Sequence, residues 1–426
     1  MNIEDYRPFL SPALAKATDL IVASGEGCYL TDIHGERYLD FVQEIAVNAL
    51  GHGHPKIVEA IKKQAGKLIH ASFNLVHYPS TLELARRLAA VTPGRLDSVF
   101  FSNGGAEAID GALKLARVFT KRPAIIAFQG SFHGRTLGAL SVTGSKAKYR
   151  KYVEPMAGSV YFAPYPSKDL CPDGFNAAQR TAYCLNELDH LFAYLIAPDQ
   201  VAAIIMEPVQ GEGGYVVPEK AFVQGICERC SRHGILLIID EIQSGYGRTG
   251  RMFASEQFGV VPDIMTVGKA LAGGLPMSAV VALPEIMAEW HPGMNGTTFG
   301  GHPVSAAAAL AVLDVFQEED LLDHVRKMGG YLKSRLLDLQ QKYTCITDVR
   351  GLGLMQAIEF SHPDGSPAPD MLSRVREDCL KHRLLTLGCG VHENGMRFAT
   401  PLNIKKEEMD QGLSIIDRVL SGICTH

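Results

Sequence analysis

The stretch Ile235 to Gln243 reads ILLIIDEIQ: an unbroken aliphatic run that stops at once on two carboxylates. A continuous apolar run of this length is the pattern of a strand covered on both faces. Similar runs lie near Ser98–Ser102, Ala124–Gln129, Ser159–Ala163, Val201–Met206, Ile264–Val267 and Ala279–Leu283, with helical stretches between several of them. One helix follows Gly105 and places Ile109, Leu113 and Ala116 on one face. Another begins at Pro218, a favoured first-turn residue, and ends before Gly234, a favoured terminator. Alternation of this kind predicts an α/β architecture with a mostly parallel sheet. Ligands of open α/β sheets bind beyond the carboxyl ends of the strands, which makes Asp240 and Glu241 candidates. A plain polar strand terminus accounts for them equally well.

After about Gly301 the pattern changes. Long helical stretches, Pro303 to Phe316 and Leu321 to Lys342, lead to short strands near Ile346–Arg350, Leu354–Phe360 and Met396–Ala399, and to a last helix over Lys405 to Leu420. The expected organisation is an N-terminal segment (1–60) packing with a smaller C-terminal α+β domain (302–426), and a large α/β domain between them (61–301). There are no internal repeats or low-complexity segments.

With 426 residues the chain is long enough for two or three domains. Lys and Arg number 41 against 46 Asp and Glu, and this slight acidity argues against a general nucleic-acid binder. No apolar run approaches the ~18 residues of a membrane span. The first ten residues carry Glu4, Asp5 and Arg7 with no apolar core, unlike a secretory signal. The 9 scattered cysteines read as buried reduced thiols, so a cytoplasmic protein is expected.

Three further segments place chemistry at strand ends. Ile264 to Pro276, IMTVGKALAGGLP, presents Lys269 among glycines, an arrangement suited to a Schiff-base nucleophile. A Walker loop fails here, because Ala270 follows Gly268-Lys269. Phe101 to Arg117, FSNGGAEAIDGALKLAR, runs from a strand through a glycine turn into a helix start, where exposed N–H groups and the helix dipole attract phosphate. Gln129 to Thr136, QGSFHGRT, offers an aromatic face (Phe132), an imidazole (His133) and a guanidinium (Arg135).

Other patterns carry less. GYGRTG at 245–250 matches a dinucleotide fingerprint, but DEIQS separates it from the strand and a poor helix follows. Cys227, Cys230 and nearby His233 fall within the helix from Pro218, where Phe222, Ile226 and Cys230 share a face, and no second ligand pair follows at zinc spacing. Packed thiols explain them better, and a turn before a helix at Pro55 explains His52 and His54. No metal site is expected.

Taken together the motifs resemble the class III (ω-amino acid) aminotransferases, fold-type I enzymes that use pyridoxal 5′-phosphate. The resemblance runs along nearly the whole chain: YLDF at 38–41, IAVNALGHGHP at 45–55, FHGRT at 132–136, EPVQGEGG at 207–214, TTFGGHP at 297–303, DVRGLG at 348–353 and MRFATP at 396–401. It implies that Lys269 holds the cofactor covalently and shuttles a proton, while Asp240 pairs with the pyridine nitrogen. It implies that Gln243 bonds the phenolic oxygen, that Phe132 and Ile242 sandwich the ring, and that Gly105 and Ala106 hold the phosphate. His133 and Glu207 are implied at the cofactor site. Thr298 would reach the phosphate of a neighbouring subunit, so a homodimer with shared active sites is expected.

For the substrate, the resemblance implies that Ile45 walls the pocket. Arg135 would hold a distal carboxylate, and Arg397 the α-carboxylate of glutamate. Glu212 would pair with Arg397. The implied reaction moves the terminal amine of an ω-amino acid, 4-aminobutyrate first, to 2-oxoglutarate. An acetylornithine- or ornithine-type aminotransferase, a same-fold amino-acid racemase and, from another class, a nicotinamide-dependent dehydrogenase are the alternatives. Gly104, where many relatives have serine, Gln43 and Glu44, where small residues are usual, and His302 depart from the common pattern.

Overall fold

A computed structural model describes residues 1–14 and 16–424. Three strands near the N-terminus, β1 (Val22–Glu26), β2 (Tyr29–Asp32) and β3 (Arg37–Asp40), form an antiparallel meander. The main sheet then gathers β4 (Ser98–Ser102), β5 (Ala124–Phe128), β6 (Val160–Ala163), β7 (Val201–Met206), β8 (Leu236–Asp240), β9 (Ile264–Val267) and β10 (Ser278–Ala282) in the order β4-β10-β9-β8-β7-β5-β6. The pairings from β9 through β8, β7 and β5 to β6 are parallel, and β10 alone runs against its neighbours β4 and β9.

The continuous apolar runs have a direct cause. Every residue of β5, β7, β8, β9 and β10 is buried. Ile204, Met206, Leu237 and Ile239 face one core, shared with Leu188 and with Phe222, Ile226 and Cys230. Ala203, Ile205, Leu236 and Ile238 face the other, shared with Ala108, Ile109 and Ala112. Successive strand residues point to opposite faces, so a strand between two helix layers must be apolar throughout. Cys230 is thus a core thiol, with Cys227 packed partly buried beside it.

The remaining strands are β11 (Ile346–Leu352), β12 (Met355–Phe360), β13 (Leu384–Leu385), β14 (Leu387–Cys389) and β15 (Gly395–Phe398). Four of them make an antiparallel sheet in the order β11-β12-β15-β14, whereas β13 joins the N-terminal meander by pairing parallel with β3. The first and last parts of the chain therefore share a sheet. They also share a core, in which Phe41 packs against Phe398, 6.3 Å between ring centroids, and against the last helix, Lys406–Ile423.

Several element boundaries differ from the sequence reading. The helix expected from Pro218 begins at Lys220, with extended Glu219 as its cap. The strand expected from Ala279 begins at Ser278, and β1 to β3, β13 and β14 carried no clear run of their own. The GYGRTG segment is a series of buried turns rather than a strand-to-helix crossing; its Arg248 donates to the carbonyls of Leu354 and Thr400. No helix among the described residues is long and apolar enough to cross a membrane.

The contact of the last helix with Phe41 yields a test. A Cβ on Gly412 would lie 2.1 Å from Phe41 Cζ, whereas one on Gly422 would meet nothing within 4 Å. Gly412→Ala should therefore cost ~1–3 kcal/mol through overpacking. Gly422→Ala should be neutral or slightly stabilising, by up to ~1 kcal/mol, through helix propensity. Urea titration of the two variants checks the contrast.

Candidate active site

The strands β4, β5, β7, β8 and β9 point the same way, so their carboxyl ends open on one side of the sheet. There a cavity of about 190 Å³ is lined by Gly105, Ala106, Phe132, His133, Glu207, Glu212, Asp240, Ile242, Gln243 and Lys269, among others. These residues come from five separate stretches of sequence, each at or just beyond the end of a strand.

Asp240 closes β8 and is buried. Its Oδ1 accepts from the Ile242 N–H at 3.0 Å and from Thr266 Oγ1 at 3.1 Å; its Oδ2 lies 2.7 Å from His133 Nδ1. A carboxylate accepts only, so Nδ1 of His133 carries the hydrogen and its buried Nε2 has no partner among the described residues. Glu241, the adjacent acid, turns away from the cavity. It accepts from Ser244 Oγ and, at 2.7 Å, from the Ser255 N–H, and holds the turn beneath. Period-2 alternation separates the two acids into one that faces the site and one that supports it.

Lys269 stands two residues beyond β9 with φ 44°, a left-handed conformation that is uncommon for a side chain longer than glycine. Among the described residues its amine makes no hydrogen bond or ion pair. Burial lowers its pKa to about 8; Asp240, Glu207 and Glu212 oppose this and Arg397 adds to it. An amine with that pKa has a far larger neutral fraction near neutral pH than an ordinary lysine, and only the neutral amine is a nucleophile.

Gly104 caps the helix Gly105–Thr120, and Ser278 Oγ fixes the turn by donating to the Gly104 carbonyl at 2.8 Å. The N–H groups of Gly105 and Ala106 have no acceptor among the described residues. Gly134 brings the QGSFHGRT loop against this helix start: at φ 136° a Cβ there would lie 2.5 Å from that of Ala106. Glu207 ties the loops together, accepting from the N–H of Phe132 and of Gly211, each at 2.8 Å. Burial raises its pKa to about 7, partly offset by His133. Glu207 lines the cavity, but its oxygens are used on backbone.

At the rim Arg397 is buried and donates through Nη2 to Glu212 Oε2 at 3.1 Å, while its Nε and Nη1 have no partner among the described residues. Arg135 is exposed and lies over the Tyr149 ring, 4.0 Å from guanidinium carbon to centroid. Ile45, 37 % exposed, and Thr298, also exposed, do not line the cavity within this chain. Thr298 follows Thr297, whose Oγ1 accepts from Asn103 Nδ2 at 3.0 Å beside the glycine turn. Lys146, Tyr149, Thr266 and Ser278 were not singled out from sequence. Thr266 had a signal, as the one polar residue in a strand buried on both faces; the others had none.

The polar atoms left unpaired fit a phosphorylated aromatic cofactor. The free N–H groups at the helix start suit a phosphate. The side-chain amide of Gln243, without a partner among the described residues, suits a phenolic oxygen, and Phe132 and Ile242 supply apolar surfaces.

Comparison with known proteins agrees. The model of the family "Aminotransferase class-III" matches residues 12–420. The chain belongs to the class III aminotransferases. It is 39% identical to a probable 4-aminobutyrate aminotransferase of Bacillus subtilis, over 96% of this chain and 94% of that protein. It is also 39% identical to an acetylornithine aminotransferase of Methanothermobacter thermautotrophicus, over 99% and 98%. The solved (S)-enantioselective omega-transaminase from Thermomicrobium roseum superposes with a TM-score of 0.90 at 31% identity, covering 99% and 95% of the two chains. The protein is thus a fold-type I aminotransferase that uses pyridoxal 5′-phosphate and passes an amino group from a donor to a 2-oxo acid.

The low pKa of Lys269 can be read directly. In cofactor-stripped protein, a small amine-directed reagent should label Lys269 with a midpoint near pH 8. Asp240→Asn should move that midpoint lower, because the Asp240 carboxylate favours the charged amine. Pulse labelling across pH with peptide mass spectrometry measures both; a wild-type midpoint near the ordinary ~10.4 would contradict the burial.

Proposed function

We propose that this aminotransferase takes the terminal amine of an ω-amino acid, with 4-aminobutyrate the leading donor, and delivers it to 2-oxoglutarate. The bound cofactor supplies an electron sink that stabilises negative charge at the carbon bearing the amine. Lys269 Nζ would hold it covalently and would move a proton at that carbon. Asp240, oriented by His133, would hold a proton on the ring nitrogen. Gln243 would donate to the phenolic oxygen, Phe132 and Ile242 would keep water from the ring faces, and Gly105 and Ala106 would bind the phosphate.

The observation that carries the substrate reading is the pair formed by buried Arg397 and part-buried Glu212 at the cavity rim. 4-Aminobutyrate has one carboxylate, distant from its amine; glutamate has a second on the reacting carbon. Arg135 holds the distal group in both. Arg397 has two unpaired nitrogens for the second, and Glu212 neutralises it when that group is absent. Without Glu212, the single-carboxylate substrate would leave a buried guanidinium uncompensated, which is costly. The equal identity to an acetylornithine enzyme supports a second reading, in which the donor carries its own α-carboxylate.

The active unit is read as a homodimer in which Thr298 serves the partner's phosphate site. Ile69, Leu75, Val76 and Phe299 are exposed apolar residues that a second copy would cover. Sedimentation should give twice the chain mass of 46.2 kDa.

The test follows single half-reactions by the cofactor's visible absorption. Wild type should react with 4-aminobutyrate and with glutamate. Glu212→Gln should slow the 4-aminobutyrate half-reaction by a factor of ~10–100 more than the glutamate one, and Arg397→Ala should do the reverse, on the scale of a buried charge pair losing one member. Equal damage to both half-reactions in both variants would mark a fixed structural pair. A wild-type preference for N-acetylornithine would favour the second reading, and interconversion of enantiomers without a 2-oxo acid would indicate a racemase.

A further inference from the structure

Glu212 has more partners than Arg397. Its Oε1 accepts from Tyr149 Oη at 3.1 Å and lies 3.3 Å from Lys146 Nζ. Lys146 is not a loose surface lysine: its side chain is 11% exposed, and it reaches inward from the residue that precedes the short helix Ala147–Arg150. Its other contact is Glu393 Oε1 at 3.2 Å, which Lys148 holds at 2.5 Å. Glu393 stands just before β15, the strand that carries Arg397. Glu212 is thus gripped by one cation on each oxygen, from separate parts of the chain.

We propose that Lys146, together with Tyr149, forms a second seat for the Glu212 carboxylate, and so sets how readily Arg397 is released to a substrate with a carboxylate on its reacting carbon. The inference rests on the reading of Arg397 given above. When a substrate carboxylate takes Arg397, Glu212 must lose its nearest cation without leaving the protein interior. A buried carboxylate stripped of its only partner is strongly unfavourable. Lys146 and the Tyr149 hydroxyl remain on Oε1, so the displaced acid keeps a cation and a hydrogen-bond donor. Burial works against the Glu212 charge, yet Arg397, Lys146 and Tyr149 together hold its pKa below the ordinary range, so the carboxylate stays charged.

The seat is also adjustable. Lys146 divides its pull between Glu212 and Glu393, so Glu393 competes for the charge that would hold the displaced acid. Tyr149 lies beneath Arg135, which links the seat to the guanidinium assigned to the distal carboxylate. Lys146 is therefore a positioning residue, acting on substrate through Glu212.

The experiment measures binding of glutarate, with two carboxylates, and butyrate, with one, to the cofactor-loaded enzyme by titration calorimetry. Lys146→Met should weaken glutarate at least tenfold more than butyrate. Lys146→Arg should preserve most of the wild-type ratio. Glu393→Gln, which leaves Lys146 wholly to Glu212, should move the ratio the opposite way, in favour of glutarate. An unchanged ratio in Lys146→Met overturns the proposal, whatever happens to its melting temperature. So does equal weakening of both ligands, the mark of a general attractor for anions, and so does a Glu393→Gln ratio that fails to rise. Turnover is not needed, so the outcomes separate. A wild type that rejects 4-aminobutyrate but shows the Lys146 effect loses the donor and keeps the seat; a wild type that accepts it without the effect loses the seat alone.

Discussion

The site is organised by acids that are almost wholly buried. A carboxylate in such a place is tolerated only if its oxygens are spoken for, and removing a partner from a buried charge costs about 3–5 kcal/mol. Asp240 meets that demand from its own turn, from Thr266 on the neighbouring strand and from His133 on the loop after β5. Glu207 meets it from Phe132 and Gly211. Glu241 meets it from Ser244 and Ser255. Each acid therefore fixes the loop that satisfies it. The loops after β5, β7 and β8 are held in one arrangement because the buried charges require it. The cost is visible in Glu207 and Glu241, whose pKa values burial raises to about 7.

Much of this could be read from sequence, for a physical reason. A strand between two helix layers has no polar face, so it appears as an apolar run, and the first polar residue after the run marks the ligand side. Asp240, Lys269 and the turn at Gly105 were found in that way. Direction is not written in such a run, so nothing distinguished the reversed β10 from its parallel neighbours. In the meander β1 is largely exposed and β2 only partly buried, and β13 has only two residues, so none of them presents a pattern. In the site, Lys146 and Tyr149 gain their meaning from Glu212, distant in sequence, and no local spacing announces a contact of that kind. The strand-end pattern alone does not separate Asp240 from Glu241; the family resemblance points to Asp240, and the pleat gives the physical reason.

The turn at Gln43–Ala46 shows a different constraint. Four consecutive non-glycine residues there have positive φ, from 46° to 69°. Such residues cost of order 1–3 kcal/mol each unless the surroundings determine them. Here Asp40 does so: its Oδ1 accepts from the N–H of Val42 at 2.8 Å and of Gln43 at 3.0 Å, and its Oδ2 lies 2.9 Å from His52 Nε2. The side chain of Gln43, fully buried, donates back to the Asp40 carbonyl. Gln43 and Glu44, two of the departures from the common family pattern, fall inside this turn. Ile45 owes its position to it.

The groups read as substrate-recognising and the reactive lysine share one electric field. Arg397 lowers the pKa of Lys269, whereas Asp240, Glu207 and Glu212 raise it. On the proposed reading, a substrate carboxylate that arrives at Arg397 screens a positive charge and adds a negative one. Both changes favour the protonated amine. Glu212, displaced toward Lys146, still contributes its negative charge nearby. Once released from the cofactor, Lys269 is then a stronger base with a substrate carrying a carboxylate on its reacting carbon than with one carrying only the distal group. Binding and proton transfer are therefore not separable tasks assigned to separate residues. On that reading the charge that would select the substrate also bears on the basicity of Lys269, and a change at the Arg397–Glu212 pair would alter both.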